Sequence, residues 1–143
     1  HPIPGGYPGA GVVVDADARV RTAMAELSAS WRGETLAFAS YEDARAALAQ
    51  WQGGAPCAVL ADYRLGGEHN GFDLIRLLRR AYPGLPAAIF TGDTDAFVAE
   101  SERMPDVPVF QKPVSADEIF GWLVSATDEI RVAGDAGPGQ VGD

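Results

Sequence analysis

Cys57-Ala58-Val59-Leu60-Ala61-Asp62-Tyr63-Arg64-Leu65 decides the fold, because a short run of small and branched apolar residues ends abruptly on an acid. An unbroken apolar run of this length reads as a strand buried on both faces, the kind a parallel sheet covered by helices requires. Working outward, the same signature recurs in Gly11 to Asp15, Thr35 to Ala39, Ala87 to Thr91 and Val107 to Phe110, so five strands are expected. The segments between them open on helix-start signals: Asp17 before Ala18 to Ser30, Ser40 with Asp43 before Tyr41 to Gln50, and Asn70 with Asp73 before the Ile75, Leu77, Leu78 face. Asp93 or Thr94 is expected to open a fourth helix, and Ser115 with Glu118 makes the capping box of a fifth. Strand and helix in strict alternation imply an α/β, doubly wound, five-stranded parallel sheet with five helices and right-handed crossovers.

Composition narrows the function classes. The chain has 143 residues, suited to one domain, with 47% hydrophobic and 22% charged residues, ordinary for a globular protein. A formal net charge of −9 argues against a surface made to neutralise nucleic-acid phosphates or to lie on anionic lipid. Cys57 is the one cysteine, so no internal disulfide forms, and its apolar neighbours mark it as a small core residue suited to a reducing, cytoplasmic setting. No run approaches the roughly 18 apolar residues of a membrane span, and the first residues lack the pattern of a signal peptide. The Pro/Gly-rich residues 1–9 read as linker, residues 10–128 as the folded domain and residues 129–143 as a flexible tail.

In doubly wound sheets ligands gather at the carboxyl ends of the strands. Those ends carry Asp15 with Asp17, then Asp62, then Thr91 with Gly92, then Lys112-Pro113. Close carboxylates repel by about 4 kcal/mol per pair at an effective dielectric near 20, so a cation is expected among them. Mg²⁺ suits such a pocket, since it takes one or two carboxylates and completes its shell with water and phosphate oxygens. Asp15 and Asp62 are the expected ligands. A carboxylate can also attack phosphorus while a lysine and a hydroxyl spread the charge of the transferred group, which gives Asp62, Lys112 and Thr91 their roles. Taken singly, each has a plainer reading: Asp62 closing a turn, Thr91 as a β-branched strand residue, Lys112 as a solvated charge. His69 reads as a surface residue of a Gly-rich loop, and Trp31, Trp51 and Trp122 as packing or rim residues.

Val12-Val13-Val14-Asp15, Leu60-Ala61-Asp62-Tyr63-Arg64-Leu65, Ile89-Phe90-Thr91-Gly92-Asp93 and Gln111-Lys112-Pro113, in this order, resemble the receiver domain of bacterial two-component response regulators over residues 10–126. The resemblance implies the flavodoxin-like receiver fold with strand order 2-1-3-4-5, and a phosphorelay role. Asp62 would take a phosphoryl group from a histidine kinase or histidine phosphotransfer domain in a self-catalysed transfer that needs Mg²⁺. Thr91 and Lys112 would then bind the phosphoryl group, helped by the amides of Tyr63 and Gly92. The carbonyl of Arg64 would touch the metal, and Pro113 would follow a cis bond. Ala-Asp-Tyr-Arg-Leu and Phe-Thr-Gly-Asp-Thr are also similar to receivers at the C-terminal end of hybrid sensor histidine kinases. Nothing in the sequence indicates homodimerisation.

Three departures from the receiver pattern stand out. Receivers usually carry two adjacent acids after the first strand, whereas here Ala16 separates Asp15 from Asp17, which weakens the expected metal site. Asp17 could serve as the replacement ligand or merely cap the first helix, and both readings stand. Val109 occupies the place of a switching aromatic ring, and the loop Gly66 to Gly71 is long and lacks a proline, which should loosen the site's rim. Two alternatives follow: a degenerate receiver that binds a partner without phosphorylation, and a phosphatase resembling the haloacid dehalogenases, with Asp15 as nucleophile and Asp17 as acid/base.

Overall fold

The computed structural model describes residues 10–30, 34–92 and 104–135. The elements run β1 (Gly11–Val14), α1 (Ala18–Ser30), β2 (Thr35–Phe38), α2 (Tyr41–Ala49), β3 (Ala58–Asp62), α3 (Gly71–Ala81), β4 (Ala87–Thr91), β5 (Val109–Gln111) and α4 (Ala116–Asp135). The strands form one parallel sheet in the order β2-β1-β3-β4-β5, as the receiver resemblance implies. Four of the five expected helices are described. The fourth expected helix, after Asp93 or Thr94, lies outside the described residues, as do the linker at residues 1–9 and Trp31.

Period-two alternation divides the sheet's apolar residues between two cores. Val12, Val14, Val59, Ala61, Ala87 and Ile89 pack with Ala44 of α2 and Phe72, Ile75 and Leu78 of α3. On the other face Val13, Ala58, Leu60, Ala88 and Phe90 meet Val20 and Met24 of α1 and Ile119 and Leu123 of α4. Each fully buried large side chain stabilises the fold by about 1.5–3 kcal/mol, and Phe72, Ile75, Phe90 and Ile119 are all of this kind.

The caps appear where the sequence puts them. Ser40 Oγ accepts from the Asp43 amide at 3.1 Å, Asn70 and Asp73 close a reciprocal box at 2.9 and 3.0 Å, and Ser115 and Glu118 close another at 3.0 and 3.1 Å. Two boundaries shift. β5 begins at Val109 because Pro108 has no N–H for the ladder and the Val107 amide turns back to the Met104 carbonyl. α4 continues to Asp135, beyond residue 128, since Glu129-Ile130-Arg131-Val132-Ala133 contains no helix breaker.

Candidate functional site

Register builds the site. Val14 pairs with Ala61 across β1 and β3, so one residue further on Asp15 and Asp62 emerge side by side at the carboxyl rim. Thr91 pairs with Gln111 across β4 and β5, which brings Lys112 to the same rim, turned by a cis peptide before Pro113. The Lys112 amide donates to the Thr91 carbonyl at 2.7 Å and fixes that turn. Its side chain reaches back across β4: Lys112 Nζ lies 2.9 Å from Asp15 Oδ2 and 3.1 Å from Asp62 Oδ2.

One ammonium thus serves two acids. Asp15 is only 1% exposed, and its Oδ2 meets Lys112 as a contact of charge without a directed hydrogen bond. Its other oxygen accepts the Asp17 amide at 2.9 Å. Asp62 donates nothing and accepts both Lys112 Nζ and the Arg64 backbone N–H, yet its pKa is raised: burial first, then the Asp15 charge, outweigh these cations and donors. The Lys112 ammonium is held above its usual value, because the contacts to Asp15 and Asp62 outweigh the opposing effect of burial.

Asp17 is turned to other work. Its carbonyl accepts the Val20 and Arg21 amides and its Oδ1 accepts the Arg19 amide at 2.8 Å, which makes it the cap of α1. The Arg19 guanidinium holds the same carboxylate at 3.2 and 3.3 Å and keeps its pKa below the usual value. Arg21 reaches inward instead and donates to the Asp15 carbonyl at 2.7 Å, pinning the backbone between strand and helix.

The amide expected at the phosphoryl group, that of Tyr63, is bonded within the sheet. Tyr63 N–H donates to the Phe90 carbonyl at 2.7 Å, because the β3–β4 ladder runs one residue past Asp62. The amide that faces the Asp62 carboxylate belongs to Arg64. Thr91 is buried at 3% exposure and its hydroxyl points toward β5, 3.5 Å from the Phe110 carbonyl, so it does not join the cluster formed by Asp15, Asp62 and Lys112. Gly92 stands half-buried at the end of β4 with open space where a side chain would be.

Two residues of the site were not legible in advance. Gly71, the first residue of α3, comes so close to β3 that a Cβ there would lie 2.6 Å from the Asp62 carbonyl oxygen and 2.6 Å from Ile89 Cδ1. His69 stacks on Tyr41 with ring centroids 3.9 Å apart, joining the loop after β3 to the start of α2. That loop is closed by the Arg64–Asn70 bridge and by the Gly71 amide on the Tyr63 carbonyl, and Gly66 and Gly67 take the left-handed conformation that the turn requires.

Among the described residues no three His, Cys, Asp or Glu side chains gather to hold a metal. The pair Asp15 and Asp62, with a buried oxygen whose neighbour is a cation, still fits a hard ion that asks for one or two carboxylates. No helix among the described residues is long and apolar enough to cross a membrane.

Comparison with known proteins bears on the fold and the family. No curated protein is similar enough to count as a relative. Solved structures share the fold: a response regulator receiver domain from Clostridium thermocellum has 18% identity and a TM-score of 0.72, covering 87% of this chain and 98% of its own. A response regulator receiver protein from Sinorhizobium medicae has 18% identity and a TM-score of 0.71, with 85% and 96% covered. The receiver domain of NtrX from Brucella abortus has 24% identity and a TM-score of 0.69, with 82% and 98% covered. The model of the response regulator receiver domain matches residues 12–123, and the chain belongs to that family.

Proposed function

We propose that Asp62 is the phosphoacceptor of a two-component phosphorelay, and the observation that carries this reading is the shared ammonium of Lys112 between Asp15 and Asp62. A carboxylate oxygen of Asp62 bonds to the phosphorus of a phosphohistidine as the P–N bond breaks. The electrons of that bond stay on the imidazole nitrogen, which takes up a proton. Lys112 and the Arg64 N–H face the oxygens on which charge accumulates, the arrangement that lowers the barrier to phosphoryl transfer. Mg²⁺, when bound, would supply further charge neutralisation, held by Asp15, Asp62 and the Arg64 carbonyl.

The acyl phosphate carries about −1.5 to −2 charges in place of the carboxylate's single one, in a pocket that has one ammonium. Lys112 then turns to the new oxygens and the Thr91 hydroxyl leaves its long contact with the Phe110 carbonyl for the same target. The donor is a histidine kinase or a histidine phosphotransfer domain, in the cytoplasm, and the chain acts as a relay receiver of the hybrid-kinase kind. Incubation with Mg²⁺ and acetyl phosphate tests the reading by intact mass. A gain of one phosphoryl group that disappears in Asp62→Asn supports it. Absence of any gain favours a binding module that works without phosphorylation, and steady turnover dependent on Asp15 favours a phosphatase.

A further inference from the structure

The acid pocket contains its own cation. Asp15 and Asp62 carry two negative charges, Lys112 returns one positive charge to both, and the group closest in sequence that could add a third carboxylate, Asp17, is bonded to Arg19. Asp17 is still near enough for the Lys112 charge to act on it. Between Asp15 and Asp17 stands Ala16, exposed and without a donor oxygen. A divalent ion that enters this pocket finds an ammonium already in contact with both carboxylates and gains nothing from Ala16 in return.

We infer that Lys112 and a divalent cation compete for the Asp15–Asp62 pair, and that Ala16 is the residue that lets the lysine win in the resting protein. This rests on the phosphoacceptor reading only for its biological sense, since the competition is a property of the resting pocket. By reciprocity of linked equilibria, anything that draws Lys112 away from the two carboxylates tightens the ion, and the ion in turn favours that state. A phosphoryl group on Asp62 does this, so ion and phosphoryl group bind as partners.

Mn²⁺ serves as the probe, titrated without phosphodonor and read by the electron paramagnetic resonance signal of the free ion. Lys112→Ala should bind Mn²⁺ more tightly than the native chain, the reverse of what loss of a supporting residue would give. Ala16→Asp should tighten binding by about tenfold or more, the size of effect that changes around a metal site commonly produce. Asp15→Asn should abolish it, and a thermal melt of each variant without metal shows whether it is folded. The inference is overturned if folded Lys112→Ala binds Mn²⁺ no better than the native chain, or if Ala16→Asp leaves the affinity unchanged. The intact-mass experiment is independent of this one: phosphoryl uptake with no competition sinks the inference alone, and competition with no uptake sinks the phosphoacceptor reading alone.

Discussion

The two ends of the same sheet handle charge in opposite ways. At the amino rim Arg79 is 18% exposed and makes four bonds: Nε and Nη2 donate to the Leu85 carbonyl at 2.9 and 2.8 Å, and Nη2 and Nη1 meet Asp106 at 2.7 and 3.4 Å. Those bonds hold the Asp106 carboxyl below its usual pKa. At the carboxyl rim one ammonium is divided between two acids, and the pKa of Asp62 is raised by burial and by Asp15. One rim has as many donors as its charges need and serves stability. The other falls short by one positive charge, which is the condition for accepting a cation.

The largest effect should come from crowding the carboxyl rim rather than from its charges. Gly71→Ala forces a Cβ against the Asp62 carbonyl and Ile89, and an overpacked contact of this kind costs about 2 kcal/mol. Urea unfolding measures that cost, and phosphoryl uptake should fall with it because the backbone of Asp62 is displaced. Unchanged stability and uptake would mean that packing does not position Asp62.

Arg79→Ala should destabilise by about 1.5 kcal/mol, the lower range for hydrogen bonds made by a charged group, and should leave phosphoryl uptake by the folded protein as it is. A variant that loses uptake without losing stability would erase the division of labour between the rims.

Asp62→Asn has the smallest effect and the opposite sign. The native pKa lies above 3.8, so the ionised carboxylate costs stability at neutral pH, and that cost is relieved as pH falls through the raised pKa. The variant should therefore be slightly more stable than the native chain at pH 7, by about 0.5 kcal/mol, with the margin shrinking on acidification. A margin that grows on acidification would show that the Lys112 contact governs Asp62 after all.

Much of this was legible in the sequence, and for physical reasons. Buried parallel strands need unbroken apolar runs, so an acid at the end of one is conspicuous, and Asp15 and Asp62 announce themselves in that way. Capping boxes are local, which is why Asn70 with Asp73 and Ser115 with Glu118 appear in the structure as read. What escaped depends on contacts distant in the chain or on ladder parity. Whether Tyr63 or Arg64 offers its amide to Asp62 turns on how far β3 pairs with β4, which no local pattern encodes. Gly71 looks like an ordinary turn glycine until β3 is laid beside it, and Arg79 finds Asp106 across 27 positions. Of the two roles open to Asp17, the structure shows the cap, through its bonds to Arg19.

Gly71 and Arg79 belong to one helix, and together they fasten it at both extremities: the first abuts the carbonyl of Asp62, the second is bolted to the segments that enter β4 and β5. A strut anchored at each end, about 12 Å apart at 1.5 Å per residue, is held against sliding along β3. On the phosphoacceptor reading proposed above, a change at Asp62 would pass instead through the ends of β4 and β5, where Thr91 and Lys112 stand. α3 is then the fixed frame against which that displacement is measured.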